Sequence, residues 1–130
     1  VECFDTGMVD AALRLARDEL LDLPAHFNFV LGMPGGMGGT AAHLDFVRGL
    51  LPEGSTWSVA GIGRFELPLA AQAIATGGHV RVGLEDNLFI AKGILAKGSY
   101  ELVAQVAAMA REAGRPLATV EQARQLLRLA

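Results

Sequence analysis

The stretch that decides the fold is Arg81-Val82-Gly83-Leu84-Glu85-Asp86-Asn87. It places an arginine and two carboxylates in an apolar run that otherwise indicates a buried strand, and a buried charge is costly unless it is paired. Because side chains alternate along an extended strand, Arg81 and Glu85 are expected on one face and the apolar side chains on the other. Asp86 follows where the strand should end. The polar cluster therefore lies at the carboxyl end of a strand, where α/β folds keep their active sites.

Composition limits the kind of protein. Hydrophobic residues make up 52% of the chain and charged residues 19%, which is enough apolar side chain for a core. The net charge of −3 gives no basic surface for nucleic acid. No stretch approaches the roughly 18 consecutive apolar residues of a membrane helix, so we predict neither nucleic-acid binding nor a membrane span. The lone cysteine, Cys3, excludes an internal disulfide and indicates a reducing, cytoplasmic compartment.

Short apolar runs alternate with helical patterns along the chain, which is typical of repeated βα units around a parallel sheet. The predicted strands are residues 1–4, 27–31, 56–60 and 80–84. The predicted helices are residues 9–23, stopped by Pro24; a helix capped by Thr40 that runs to about residue 51; one entered near Pro68 and ended by Gly77; one capped by Ser99 and closed by Gly114; and a short one from Thr119, with capping-box spacing to Gln122.

Four βα units fit either a small open sheet or half of an eight-stranded barrel. Polar residues on several strands, Arg81 and Glu85 with Asn28 and Ser58, suit a barrel lumen with polar groups near its top. We therefore predict an α/β half-barrel in which residues 1–130 form a single domain. The chain begins within a strand, so we expect further sequence upstream. Half a barrel leaves two unpaired sheet edges, which predicts a homo-oligomer or pairing with the missing half.

Four blocks of sequence carry a family pattern. They are Glu2-Cys3-Phe4-Asp5-Thr6-Gly7, Gly32-Met33-Pro34-Gly35-Gly36, Trp57-Ser58-Val59-Ala60-Gly61-Ile62-Gly63-Arg64 and Gly78-His79-Val80-Arg81-Val82-Gly83-Leu84-Glu85-Asp86-Asn87. In this order they closely resemble the C-terminal half of the β-keto acid cleavage enzymes. The resemblance implies that the chain holds the last four βα units of a zinc-dependent TIM (β/α)8 barrel. It also implies a reaction of a β-keto acid with acetyl-CoA that gives acetoacetate and a new acyl-CoA.

Residues at positions that match the family's motifs are expected to have the family's roles. The resemblance implies that Glu85 is a zinc ligand, Asp86 the catalytic acid–base and Arg81 the residue that orients Asp86 and the substrate. Glu2 matches a glutamate of the same polar network. The family's remaining Zn²⁺ ligands form a His-x-His pair on an early strand, and this chain has no such pair. Those ligands would lie outside the chain, so we expect it to be inactive on its own.

Two further groups of residues are predicted to bind substrate or CoA. Gly35 and Gly36 lie in a glycine-rich loop that can bring backbone N–H groups to a carboxylate or phosphate before a helix N-terminus. Arg64 could meet the phosphates of CoA. The alternatives are turn geometry for the glycines and a solvated charge for Arg64. For Glu85 and Asp86 the alternative is a structural ion pair with Arg81 or a solvated strand end.

The leading interpretation is an acetyl-CoA-dependent β-keto acid cleavage enzyme, a transferase with lyase-type C–C cleavage by Claisen and retro-Claisen steps, as the resemblance implies. Its partners would be a small β-keto acid and acetyl-CoA. One alternative is another metal-dependent TIM-barrel lyase or aldolase, which would cleave a keto acid without consuming acetyl-CoA. The other is a non-catalytic half-barrel that assembles with a partner or with a second copy.

Overall fold

A computed structural model describes residues 1–129, and these confirm the predicted α/β class. Four parallel strands pair in chain order, β1-β2-β3-β4. The strands are β1 (Glu2–Cys3), β2 (His26–Leu31), β3 (Thr56–Gly61) and β4 (His79–Val80), with a separate hairpin of β5 (Phe89–Ala91) and β6 (Ile94–Leu95). The α-helices are α1 (Thr6–Arg17), α2 (Ala41–Arg48), α3 (Glu66–Thr76), α4 (Ser99–Glu112) and α5 (Val120–Leu127).

The sheet has one apolar face and one polar face. Along β2, Phe27, Phe29 and Leu31 are buried in the main core cluster with side chains from α1, α2 and α3. The intervening residues, His26 and Asn28, lie on the opposite face, as the two-residue period of a strand requires. Helices α1 to α3 therefore cover the apolar face, and the polar face is left for side-chain hydrogen bonds.

Helix α1 differs from its predicted range of 9–23. It begins earlier because the Asp5 side chain accepts a hydrogen bond from the Met8 backbone N–H at 2.9 Å. It ends at Arg17, well before Pro24, because Glu19 adopts a left-handed φ of 59° that breaks the helix. The second helix also ends early, at Arg48, but its predicted cap by Thr40 is confirmed.

The predicted fourth strand is present, but its predicted range of 80–84 is wrong, because β4 covers only His79–Val80. Ladder pairing with β3 covers only His79 and Val80. The chain then turns at Gly83, whose carbonyl accepts the backbone N–H groups of both Asp86 and Asn87 at 3.0 Å. Strand alternation therefore does not govern Glu85, and the expected shared face of Arg81 and Glu85 does not follow.

The region after the turn holds two further differences. The β5–β6 hairpin was not predicted. The predicted side-chain cap by Ser99 is also wrong, because Ser99 Oγ accepts the Leu84 backbone N–H at 3.2 Å instead. The capping box of Thr119 and Gln122 is confirmed at the start of α5. Within residues 1–129, every helix is too short or too polar to cross a membrane.

Candidate active site

Arg81 is the centre of the candidate site. Its guanidinium donates to both carboxylate oxygens of Asp86, at 2.9 to 3.2 Å. Its Nη1 also donates to Glu2 Oε2 at 2.8 Å, so two carboxylates that are far apart in the sequence share one arginine. The pKa of Arg81 is raised, first by the hydrogen bonds to Asp86. The structure thus brings together three of the predicted residues, Glu2, Arg81 and Asp86.

Glu85 and Asp86 are neighbours with opposite environments. The turn that begins at Gly83 buries the Asp86 side chain, which is 5% exposed, and directs it to Arg81. Glu85 is exposed. Its negative charge is one of the influences that raise the pKa of Arg81. One carboxylate is therefore held by the protein, while the other is free to take an external ligand.

The cluster of Glu2, Arg81 and Asp86, called the Arg81 cluster below, continues as a chain of hydrogen bonds across the polar face of the sheet. Asn28 Nδ2 donates to Glu2 Oε2 at 2.9 Å, and Ser58 Oγ donates to Asn28 Oδ1 at 2.7 Å. His26 Nε2 lies 3.0 Å from Ser58 Oγ. The single Ser58 hydroxyl hydrogen is already used, so His26 Nε2 must donate. The expected polar face with Asn28 and Ser58 is therefore present.

Histidine completes this chain at the amino end of the strands. His26 Nδ1 lies 2.8 Å from Thr56 Oγ1, which donates when the ring is neutral. The pKa of His26 is lowered, first by burial and then by the His79 ring at a centroid distance of 6.2 Å. His26 is therefore bound on both ring nitrogens. It lies two residues before Asn28 on the same face, and that spacing was a signal for it in the sequence.

The glycine loop and Arg64 lie in adjacent loops that meet at Phe65. A Cβ at Gly39 would collide with the Phe65 ring, and the Arg64 guanidinium lies over the same ring at 4.8 Å from its centroid. Met37 in the loop donates its N–H to the Phe4 carbonyl at the end of β1, at 2.8 Å. Gly35 and Arg64 are exposed. Within residues 1–129, the backbone N–H groups of Gly35 and Gly36 and the N–H groups of Arg64 make no hydrogen bond to the Arg81 cluster.

Two grooves lie beside the sheet. The smaller, of about 510 Å³, lies between the polar face and α5 and contains Glu2, Asn28, Ser58 and Arg81. The larger, of about 1290 Å³, runs along β4 beside α3, α4 and α5, and Arg81 is its only member among the predicted site residues. Of the two grooves, the smaller therefore contains more of the predicted site residues, Glu2 and Arg81.

The described residues do not form a metal site by themselves. Between residues 1 and 129, no group of three His, Cys, Asp or Glu side chains is arranged to hold a metal ion. Glu85 is the one predicted zinc ligand in the chain, and Asp86 beside it is already engaged by Arg81. The side chains present therefore do not fit a zinc ion without ligands from outside this range.

Sequence reasoning missed one buried carboxyl close to Asp86. Glu66, at the start of α3, is 1% exposed, and its Oε1 accepts a hydrogen bond from Asn87 Nδ2 at 2.9 Å. Its Oε2 makes no hydrogen bond of ordinary geometry within residues 1–129, although the Gly83 backbone N–H interacts with the carboxyl group. Burial is the largest influence on its pKa, which is raised, and the Gly83 interaction acts in the opposite direction and lowers it. No pattern marked it, because a glutamate in the first turn of a helix is common for its favourable interaction with the helix dipole.

Comparisons with known proteins all indicate the same protein family. The family model for the beta-keto acid cleavage enzyme matches residues 1–129. A 3-keto-5-aminohexanoate cleavage enzyme of Fusobacterium nucleatum is 51% identical over 129 residues, covering 99% of this chain and 47% of that protein. The enzyme of the same name from Acetoanaerobium sticklandii is 49% identical, covering 97% of this chain and 46% of that protein.

A third relative has a different named substrate. The 3-oxoadipate:acetyl-CoA acetyltransferase of Cupriavidus necator is 42% identical, covering 99% of this chain and 46% of that protein. The chain thus spans about half the length of the curated relatives it matches. The matched range includes every residue of the Arg81 cluster and of the glycine loop. The chain belongs to the β-keto acid cleavage enzyme family.

Proposed function

We propose that this chain is the C-terminal half of an enzyme that cleaves a β-keto acid with acetyl-CoA, releasing acetoacetate and a new acyl-CoA. The observation that carries the proposal is the clamp of Arg81 on buried Asp86, with Glu2 on its other side, in a chain that belongs to this family. The names of relatives support acetyl-CoA as co-substrate, since one is an acetyl-CoA acetyltransferase.

The half-barrel is part of the same proposal. Parallel sheets are normally covered on both faces. Here α1 to α3 cover one face, and the other carries the hydrogen-bonded chain from His26 to Arg81, with α5 across a groove from it. Both outer strands, β1 and β4, pair on one side only. Four further βα units, from the rest of a protein about twice as long, would pair both edges and enclose the polar face as a lumen.

The proposed chemistry uses Asp86 as the proton carrier. Asp86 removes a proton from the carbon between the keto and carboxylate groups, and the resulting enolate attacks the acetyl carbonyl as the CoA thiolate leaves. The thiolate then bonds to the other acyl carbon, and the original carbon–carbon bond to that carbon breaks to leave the enolate of acetoacetate. The proton held by Asp86 returns to this enolate, which gives acetoacetate and restores the Asp86 carboxylate. Arg81 holds Asp86 in place and offers its exposed surface to the substrate carboxylate.

The other residues have supporting roles in the proposal. Exposed Glu85 supplies one carboxylate to Zn²⁺, whose remaining ligands come from outside residues 1–129. Gly35 and Gly36 present backbone N–H groups to an anionic part of the substrates, and Arg64 approaches the CoA phosphates. The contact of both loops with Phe65 supports this grouping. A cytoplasmic location rests on the single free cysteine, Cys3.

The test uses the full-length protein that carries this chain, with acetyl-CoA and a panel of β-keto acids. Wild-type protein should form acetoacetate. Asp86→Asn should keep its zinc and lose about 10²- to 10⁴-fold in kcat, the usual contribution of a general acid–base. Glu85→Gln should lose zinc and activity together. The matched control is Glu53→Gln, a change of the same kind at an exposed loop glutamate, which should alter neither.

Each outcome has a separate meaning. If Asp86→Asn and Glu85→Gln both keep full turnover, the assignment of these residues is wrong. If the wild-type protein cleaves a keto acid without consuming acetyl-CoA, the reaction class is wrong and another metal-dependent lyase or aldolase replaces it. If no keto acid is cleaved and no zinc is bound, a non-catalytic assembly replaces the enzyme.

A further inference from the structure

A buried carboxyl group lies directly behind the Arg81–Asp86 pair. Glu66 is the first residue of α3 and is 1% exposed. An exposed glutamate there would be explained by the helix dipole alone. A buried one is costly unless its oxygens are bonded, and within residues 1–129 only Oε1 accepts a hydrogen bond of ordinary geometry, from Asn87 Nδ2 at 2.9 Å. The burial of Glu66 thus requires a reason beyond the start of a helix.

Asn87 links Glu66 to the turn that carries Asp86. Its amide is fully used: Nδ2 also donates to the Phe89 carbonyl at 2.8 Å, and Oδ1 accepts the Phe89 N–H at 3.0 Å. Its backbone N–H, like that of Asp86, donates to the Gly83 carbonyl. A side chain bonded in this way has one position, so Glu66 fixes the end of the turn.

A second bond joins the same two loops. The Gly63 N–H, from the 3-10 turn that precedes α3, donates to the Asp86 carbonyl at 2.8 Å. The turn around Asp86 is therefore held at two adjacent residues by the segment from Gly63 to Glu66. Asp86 must meet both Nε and Nη2 of Arg81 at once, which leaves little tolerance in its position.

We infer that Glu66 is a positioning residue that acts through Asn87 to set Asp86 against Arg81. The importance of that position for turnover rests on the proposed function, whereas the position itself is a property of the fold. Burial is the main cause that raises the pKa of Glu66, and glutamine is the replacement closest to it in shape. In Glu66→Gln the side-chain amide has the same shape and keeps an oxygen that accepts the Asn87 hydrogen bond, whereas Glu66→Leu removes that acceptor.

The first test measures position without activity. In full-length protein labelled with ¹⁵N-arginine, the Arg81 Nε–H resonance, assigned with Arg81→Lys, reports its bond to Asp86 Oδ2. Glu66→Leu should shift or broaden this resonance, and Glu66→Gln should leave it in place. An unchanged resonance in Glu66→Leu overturns the inference, whether or not the protein has the proposed activity.

The matched control separates position from general destabilisation. Arg115 donates to the carbonyls of Ala73, Ile74, Gly77 and Gly78 and so secures the opposite end of α3. Arg115→Met should lower the melting temperature and leave the Arg81 resonance unchanged. If Arg115→Met shifts the resonance as much as Glu66→Leu does, the effect of Glu66 is structural only and the inference fails.

The second test uses turnover. If the wild-type protein cleaves β-keto acids, Glu66→Leu should lower kcat about 10- to 100-fold, as small misplacements of catalytic groups do. Zinc content and KM should change little, and Glu66→Gln should restore kcat. Equal kcat in Glu66→Leu and wild type overturns the inference while leaving the proposed function intact. An inactive wild type rejects the proposed function, and the resonance test then decides the inference.

Discussion

Replacing Arg81 with methionine tests whether its pair with Asp86 holds the site together. The Asp86 side chain is 5% exposed, so the change leaves a buried carboxylate without its cation. Removing one partner of a fully buried ion pair costs about 3–5 kcal/mol. Arg81 is itself 39% exposed, so water can reach the vacated position. We therefore expect the free energy of unfolding to fall by a smaller amount, about 2–3 kcal/mol.

A double-mutant cycle isolates this pair. Urea unfolding of the full-length protein would compare Arg81→Met, Asp86→Asn and the double variant, with an expected coupling energy of about 1–2 kcal/mol. Glu2→Gln is the control, because Glu2 contacts the same guanidinium but is 46% exposed. It should cost less than about 1 kcal/mol. A coupling energy near zero, or a greater loss in Glu2→Gln than in Arg81→Met, would refute the view that Arg81 compensates a buried charge.

Two further predictions concern stability. Because burial raises the pKa of Glu66, its contribution to stability is full below the unfolded value of about 4.3 and is lost as pH rises through the folded pKa. Glu66→Gln should therefore gain stability relative to wild type in urea unfolding as pH rises from the unfolded pKa through the folded pKa, and parallel pH profiles would contradict this. Gly36→Ala would put a Cβ 2.9 Å from the Phe4 carbonyl oxygen, so we expect a loss of about 1–3 kcal/mol in thermal unfolding. A Cβ added at Gly35 would have no non-neighbouring atom of residues 1–129 within 4 Å, so the left-handed φ of 87° alone should make Gly35→Ala cost about 1–2 kcal/mol. Wild-type stability in Gly36→Ala would show that the loop can move.

The central strands were predictable because the residue types around them mark their boundaries. Strands β2 and β3 are apolar runs bounded by turn residues. Each observed strand is longer than its predicted range by one residue, at the start of β2 and at the end of β3. The early end of α1 was not predictable in this way. Apolar periodicity continues past Arg17, and the left-handed backbone at Glu19 leaves no sign in the residue type. The hairpin did have a sign, the Lys92-Gly93 pair between two apolar runs.

The candidate site was predictable only in part. Its residues could be identified from family motifs, but their arrangement depends on a turn that strand patterns do not predict. Family resemblance identified Arg81, Asp86 and Glu2, and their mutual hydrogen bonds are present. Strand alternation could not give their arrangement, because the ladder ends at Val80. Glu66 contacts Asn87 from 21 residues earlier in the chain, and no local pattern encodes such a contact.

The turn after β4 gives two adjacent carboxylates different environments. In a continued strand, Glu85 and Asp86 would point to opposite faces, and the residue facing Arg81 would be Glu85. The bonds from the Asp86 and Asn87 N–H groups to the Gly83 carbonyl reverse this arrangement. Asp86 is turned inward to the arginine, and Glu85 is left in solvent beside it. The proposed function needs this difference, because a metal ligand must be free to accept a cation, whereas a proton carrier must be held at one distance from its substrate. The separation of these two requirements therefore depends on the backbone at Gly83, and through Asn87 on Glu66.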